Sequence, residues 1–211
     1  MLFRRRHPEA WFVKVRTAMW PRRSWSRSLA YVFKRIIRIT ATPHAIAAGV
    51  AAGTVYLYFR GKDDLLVSIF ERTMTEAIAE GRESVGSLDH PVDRLREIAR
   101  LHLDRLGRDR ALAIVFQVEL RQSTKFMERF SSTQLREYLG IIRDVIADGQ
   151  ARQLFRPGIN PTLAAKLFFG ALDEMATNWI LSRRRYSLAG EADAIVDLFV
   201  GGMGTHTERV S

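Results

Sequence analysis

From Lys62 onward the apolar residues recur every three or four positions, with polar residues between them. Leu66, Ile69, Phe70, Met74, Ala77 and Ile78 share one face of a helix that opens at Lys62-Asp63-Asp64, and Gly81 is the expected stop. Pro91 opens a second helix to about Leu106, with Leu95, Ile98, Leu101 and His102 on one side. Ala111 to Leu120 is almost wholly apolar, which predicts burial on most sides. Leu135 to Ile146 carries Leu139, Ile142 and Val145 at helical spacing, with Gly149 near its end. Pro157-Gly158 and Pro161 then punctuate the chain before the next helix. Thr162 to Ser182 reads as a long helix, apolar at Leu163, Leu167, Phe168, Ala171, Leu172, Met175 and Trp179, with Arg183-Arg184-Arg185 at its negative end. Leu188 to Gly202 is the last helix, carrying Ile195, Val196, Phe199 and Val200. No stretch alternates with period two and no segment repeats, so the fold class is all-α.

Upstream the pattern is weaker. A helix fits residues 28–37, with Leu29, Val32, Phe33, Ile36 and Ile37 on one face, whereas residues 1–27 mix Trp and Arg without a period. The stretch AGVAAGTVYLYFRGKDDLL, Ala48 to Leu66, is sharper. Gly49-Val50 makes a tight turn, Ala51 to Phe59 a short helix, and Arg60-Gly61 a break. Two short helices joined by a Gly turn are the sequence form of a helix-turn-helix, whose second helix enters the DNA major groove. Its residues divide by role. The hydroxyls of Thr54, Tyr56 and Tyr58 suit phosphate oxygens, and Lys62 sits at the positive end of the next helix. The exposed tip, Ala51-Ala52-Gly53, offers bases only apolar contacts such as Ala52 against a thymine methyl, so readout also falls to Leu57, Thr42, DNA shape or the N-terminal arm. The structural alternative makes Tyr56 and Tyr58 core aromatics, as Phe59 is expected to be.

Charge supports a polyanionic partner. The net charge is +10. Residues 1–45 hold Lys14, Lys34 and nine Arg against Glu9, and the remainder balances 22 basic with 22 acidic side chains. The basic excess therefore lies before and within the first helix of the DNA-binding unit; a solvated basic tail is the plainer explanation. At 211 residues the chain can bury a sizeable core. It has no Cys, which excludes disulfide and thiol chemistry and fits a reducing cytoplasm. Apolar runs fall short of the roughly 20 residues that span a bilayer, so no membrane partner is expected. Catalysis finds no support either. There is no nucleophile elbow, P-loop or metalloprotease His pair, and the five His are scattered. Asp173 and Glu174 are adjacent, so on a helix they point about 100° apart, a poor acid/base pair.

Ala48 to Leu66 resembles the DNA-binding signature of the tetracycline-repressor (TetR) family of bacterial transcription regulators. The resemblance implies an all-α chain in which a helix-turn-helix domain precedes a helical ligand-binding and dimerisation domain. The segments would be a basic segment over 1–27, DNA-binding over 28–62, effector binding and dimerisation over 63–204, and a tail over 205–211. Thr40 lies nine residues before Gly49, where the family opens its second helix with a Thr that caps the helix and faces a phosphate. His44-Ala45 replaces an Ile-Ala pair, and Ile37-Arg38-Ile39 replaces a Gly-aromatic turn. A reading frame lost upstream of about residue 46 would produce this abrupt change. The native nucleotide sequence should then encode, in another frame, an amphipathic Ala-rich helix ending in Gly-aromatic; its absence from both frames refutes the idea.

A narrower resemblance covers Leu112 to Trp179. LAIVFQVELRQS (Leu112 to Ser123) and FFGALDEMATNWILS (Phe168 to Ser182) are similar to the fatty-acid-metabolism (FadR-type) regulators of that family, repressors released from DNA by long-chain acyl-coenzyme A. The resemblance implies that effector and no other cofactor, with a tunnel drawn from Leu101, His102, Phe116, Gln117, Leu120, Arg121, Phe168, Leu172 and Asn178. Gln117, Glu119, Arg121 and Asn178 would supply its inward polar groups; the pattern alone favours an ordinary core with mutually paired polar groups, and the resemblance tips the reading to a tunnel. A homodimer interface of two helices per subunit would use Leu167, Gly170, Ala171, Ile195, Phe199 and Gly202, the alternative being an ordinary core helix pair. The expected partners are an operator duplex, a second copy and a small hydrophobic effector. Two rivals remain: a multidrug-type repressor using Asp173 and Glu174, and a non-specific basic nucleic-acid-binding helical protein.

Overall fold

The computed structural model describes residues 62–122, 133–182 and 186–204. They form α1 (Lys62–Gly86), α2 (Pro91–Gly107), α3 (Arg110–Ile114), α4 (Thr133–Ala151), α5 (Pro161–Leu181) and α6 (Ala192–Met203). A π turn (Val115–Glu119) and a 3-10 turn (Leu120–Gln122) continue α3, and a 3-10 turn (Leu188–Glu191) precedes α6. Strand pairing among these residues is limited to one antiparallel bridge, Phe155 to Gly204. The all-α expectation holds.

Local chemistry sets most helix starts. Pro91 and Pro161 occupy first-turn positions, where their missing N–H costs nothing. Asn160 Oδ1 accepts from the N–H groups of Thr162 and Leu163 at 2.9 and 3.1 Å. Asp109 Oδ1 accepts from Ala111 and Leu112, both at 3.0 Å. Asp63 and Asp64 lie in the first turn of α1, at its positive end.

Two expected boundaries are corrected. α1 runs through Gly81 to Gly86. A Gly inside a helix costs about 1 kcal/mol relative to Ala, and the extra turns offset this by burying Val85 and pairing Arg82 with Glu137 at 2.8 Å. The last helix begins at Ala192 rather than Leu188, because Gly190 N–H returns to the Ser187 carbonyl at 3.1 Å and closes a tighter turn first.

The chain packs as two compact units, Met1–Glu71 with Asp109–Glu128 and Arg72–Arg108 with Arg129–Ser211. In the first, Leu66, Val67, Ile69 and Phe70 of α1 are buried, and the Phe70 and Phe116 rings lie 5.4 Å apart. The π turn places residues five apart on one side, so Val115 and Leu120 are both buried. In the second, α2, α4, α5 and α6 enclose Leu95, Leu103, Ile142, Ile146, Phe168, Leu172 and Val196, all 0 % exposed. Each such side chain contributes about 1.5–3 kcal/mol through burial. Ala164, Ala165 and Ala176 keep the inner side of α5 slim, and the Phe168 and Phe199 rings join α5 to α6 at 4.8 Å.

Candidate effector site and assembly face

The DNA-contact expectation falls on Thr40, Thr42, Ala52, Gly53, Thr54, Tyr56, Leu57 and Tyr58, which lie outside the described residues, as do residues 1–37, Arg183-Arg184-Arg185 and the 205–211 tail. Lys62 is described only as the first residue of α1.

Four effector candidates belong to the first unit. Phe116 is half-buried beside Phe70, Leu120 is fully buried, and Gln117 is buried and accepts from Arg121 Nη2 at 3.1 Å. Arg121 itself is exposed, a correction to its inward placement. Withdrawing a guanidinium from water costs several kcal/mol, and the short turn after Leu120 lets it stay wet while holding Gln117.

Five candidates belong to the second unit. Phe168 and Leu172 face the interior and Leu101 is half-buried. Asn178 is also corrected, because it is exposed and donates to the Glu174 carbonyl at 3.1 Å and to Glu174 Oε1 at 2.7 Å. The inward stripe of α5 is Ala164, Ala165, Phe168, Leu172, Ala176 and Trp179, and position 178 lies off it.

His102 is the distinctive member. Its Nδ1 is 3.0 Å from the Tyr138 hydroxyl. Its ring stands edge-on to Phe169 at 5.9 Å, and Tyr138 and Phe169 are 6.0 Å apart, so α2, α4 and α5 each contribute one ring. Nε2 is buried without a hydrogen-bond partner. Burial pushes the imidazole down to about 4, against an opposing pull from Asp173 and with help from Arg105. Burial likewise raises the Tyr138 phenol, which stays protonated. Neither Tyr138 nor Phe169 is suggested by the sequence as a partner of His102; each reads locally as one more apolar position of its helix.

The neutral imidazole has a consequence for stability. An unfolded His takes its proton near 6.5, so between there and about 4 the unfolded chain binds a proton that the folded chain refuses. The contribution is fully present above pH 6.5 and is lost as pH falls toward 4. Going from pH 7 to 5 should therefore cost the native protein about 2 kcal/mol more than a His102→Gln variant. Urea titrations at each pH measure this, and parallel pH dependences would contradict a buried neutral His102.

On the outer side of α5, Leu163 is 54 % and Leu167 61 % exposed, and Gly170 and Ala171 join them in solvent. On α6, Leu198 is 80 % exposed and Gly201 and Gly202 are open. A Cβ at Gly170, Gly201 or Gly202 would meet nothing within 4 Å. Ile195 and Phe199 are half-buried at the edge of this surface. Leu163, Leu181 and Leu198 are large exposed apolar residues absent from the expected interface. No described helix is long and apolar enough to cross a membrane.

Two family models match the chain. Residues 45–69 match the N-terminal model of the bacterial regulatory proteins, tetR family, and residues 70–202 match the C-terminal region of YsiA-like proteins. The fatty acid metabolism regulator protein of Bacillus subtilis (strain 168) is 33 % identical over 156 residues, which is 74 % of this chain and 80 % of that protein. Among solved structures, the transcriptional regulator FadR from Bacillus subtilis in complex with stearoyl-CoA superposes with a TM-score of 0.68 at 32 % identity, covering 74 % of this chain and 84 % of that one. The fatty acid degradation regulator FadR from Bacillus halodurans gives 0.70 at 29 % identity, covering 83 % and 95 %.

Proposed function

The chain belongs to the tetR family of bacterial regulatory proteins, and we propose that it is a homodimeric repressor of fatty-acid-metabolism genes, released from its operator by a long-chain acyl-coenzyme A. The observation that carries this reading is the 33 % identity to a fatty acid metabolism regulator across most of both chains. The stearoyl-CoA complex of a similar protein supplies the effector class.

The working cycle rests on a two-state equilibrium. Two recognition helices, one from each subunit, meet successive major grooves about 34 Å apart on a pseudo-palindromic operator. Effector in the C-terminal core favours a state in which α1 tilts and the spacing of those helices changes. The α1 helix suits this role because it is unbroken over 25 residues and begins inside the matched DNA-binding region. Such coupling amounts to about 1–3 kcal/mol and is reciprocal, so operator DNA weakens effector binding by the same factor. A protein doing this work on DNA belongs in the cytoplasm.

A gel-shift on the DNA upstream of its own gene tests the reading. Binding by the full chain should be sequence-specific and should weaken by about 5- to 150-fold with saturating stearoyl-CoA. Specific binding that stearoyl-CoA leaves unchanged would refute the effector. Salt-sensitive binding without sequence preference would instead support the basic N-terminus acting alone.

A further inference from the structure

His102 is half-buried as a residue, but its Nε2 atom is buried and has an unmet hydrogen-bonding need. α2 supplies His102, α4 Tyr138 and α5 Phe169, and the three rings pack mutually at 5.9–6.0 Å. Nδ1 meets the Tyr138 hydroxyl, while Nε2 has no partner. We propose that Nε2–H of His102 is the donor that receives the neutral carbonyl oxygen of an acyl thioester, and that Tyr138 is the positioning residue that fixes the imidazole tautomer. The proposal rests on an acyl-thioester effector and adds the atom that recognises it.

The tautomer is settled by counting donors. If the Tyr138 O–H donates to Nδ1, the ring proton resides on Nε2 and a single buried group lacks a partner. If Nδ1–H donated to the phenol oxygen, the phenol proton would need another acceptor and Nε2 would be a bare lone pair, leaving two needs unmet. Each unmet buried group costs about 1–3 kcal/mol, so the first arrangement prevails. It leaves one donor to be met by a ligand acceptor and none of its needs to be met by a ligand donor.

The surroundings then select the acceptor's charge. Burial keeps the imidazole neutral, and Asp173 on the neighbouring turn of α5 outweighs Arg105 in the field at the ring. A carboxylate placed there would face both desolvation and the Asp173 charge. A thioester carbonyl carries neither penalty. The site therefore prefers the activated acyl group over the free fatty acid, and Phe169 supplies an apolar wall beside it.

Calorimetric titration of the full chain with stearoyl-CoA and with its thioether analogue S-octadecyl-CoA, which lacks only the carbonyl oxygen, tests this. One such hydrogen bond corresponds to roughly 3- to 10-fold in affinity. The native protein should bind the thioester about 10-fold more tightly than the thioether. His102→Phe should bind the two equally. Tyr138→Phe should shrink the ratio of thioester to thioether affinity, which a merely structural role for the hydroxyl would not do; it also serves if His102→Phe fails to fold. A native protein that binds both ligands equally, or a His102→Phe variant that keeps the gap, overturns the assignment. If the native protein binds neither ligand, the acyl-coenzyme A effector itself falls, and the assignment with it.

Discussion

The full chain carrying Leu167→Asp and Leu198→Asp is expected to sediment as a monomer and to bind operator DNA about 100-fold or more weakly than the native chain. Both leucines are mostly exposed in the single chain, at 61 % and 80 %. With Leu163 they flank Gly170, Gly201 and Gly202, whose open Cβ positions leave room for a second helix pair to approach closely. Water does not tolerate a contiguous apolar surface of this kind without cost, and such surfaces mark association faces. A two-fold interface repeats every substitution, so the double variant buries four carboxylates without partners. The monomer then engages one half-site and loses the effective concentration that the second supplies. Because neither leucine belongs to the core, the melting transition of the isolated subunit should survive. Sedimentation velocity and fluorescence anisotropy on operator DNA measure the two quantities; a dimeric double variant with native affinity would remove this face from the interface. Deleting residues 1–27 should leave the dimer intact, since the face lies entirely on α5 and α6.

The second large effect is in the core. Gly149→Val is expected to destabilise the second unit by about 3–5 kcal/mol. A Cβ at position 149 would sit 2.2 Å from two carbons of the Phe155 ring, a separation no atoms tolerate. Phe155 is 1 % exposed, and its N–H and that of Leu154 both return to the Gly149 carbonyl, so the ring cannot step aside without opening the turn. That turn also holds Gln153 at φ 61 and carries the Phe155 to Gly204 bridge, with Arg156 N–H donating to Met203 O at 2.9 Å. Expelling the ring forfeits a buried Phe and loosens the end of α6. Thermal melts of Gly149→Val, Phe155→Ala and the double variant provide the check. The double variant should be no worse than the poorer single one, because the clash and the lost ring are one event. Additive losses would show that the two residues do not share a space.

Much of the helical framework was legible because its signals are local. Pro91, Pro161, Asn160 and the three- and four-residue apolar spacing locate α2, α4 and α5 within a few residues of their observed ends. Gly81 misled because a helix-breaking preference of about 1 kcal/mol is smaller than what distant partners return: the Arg82 pair with Glu137 and the burial of Val85 are contacts between elements. Asn178 and Arg121 misled differently. A polar residue in an apolar helix reads as an inward group, yet a shift of one or two positions around the helix returns it to water. The candidate effector residues also divide between two packing units, which spacing along the chain does not reveal.

What the sequence by itself determined is the fold class and the family, because hydrophobic period, cap chemistry and the AGVAAGTVYLYFRGKDDLL signature are properties of neighbouring residues. Only the tertiary structure decided which face of α5 is core and which lies open, and that His102 meets Tyr138 and Phe169 with one nitrogen left over. Those outcomes depend on where three separate helices cross. A side chain's hydrogen-bonding need is written in the sequence, but whether it is met depends on what residues far along the chain bring within 3 Å.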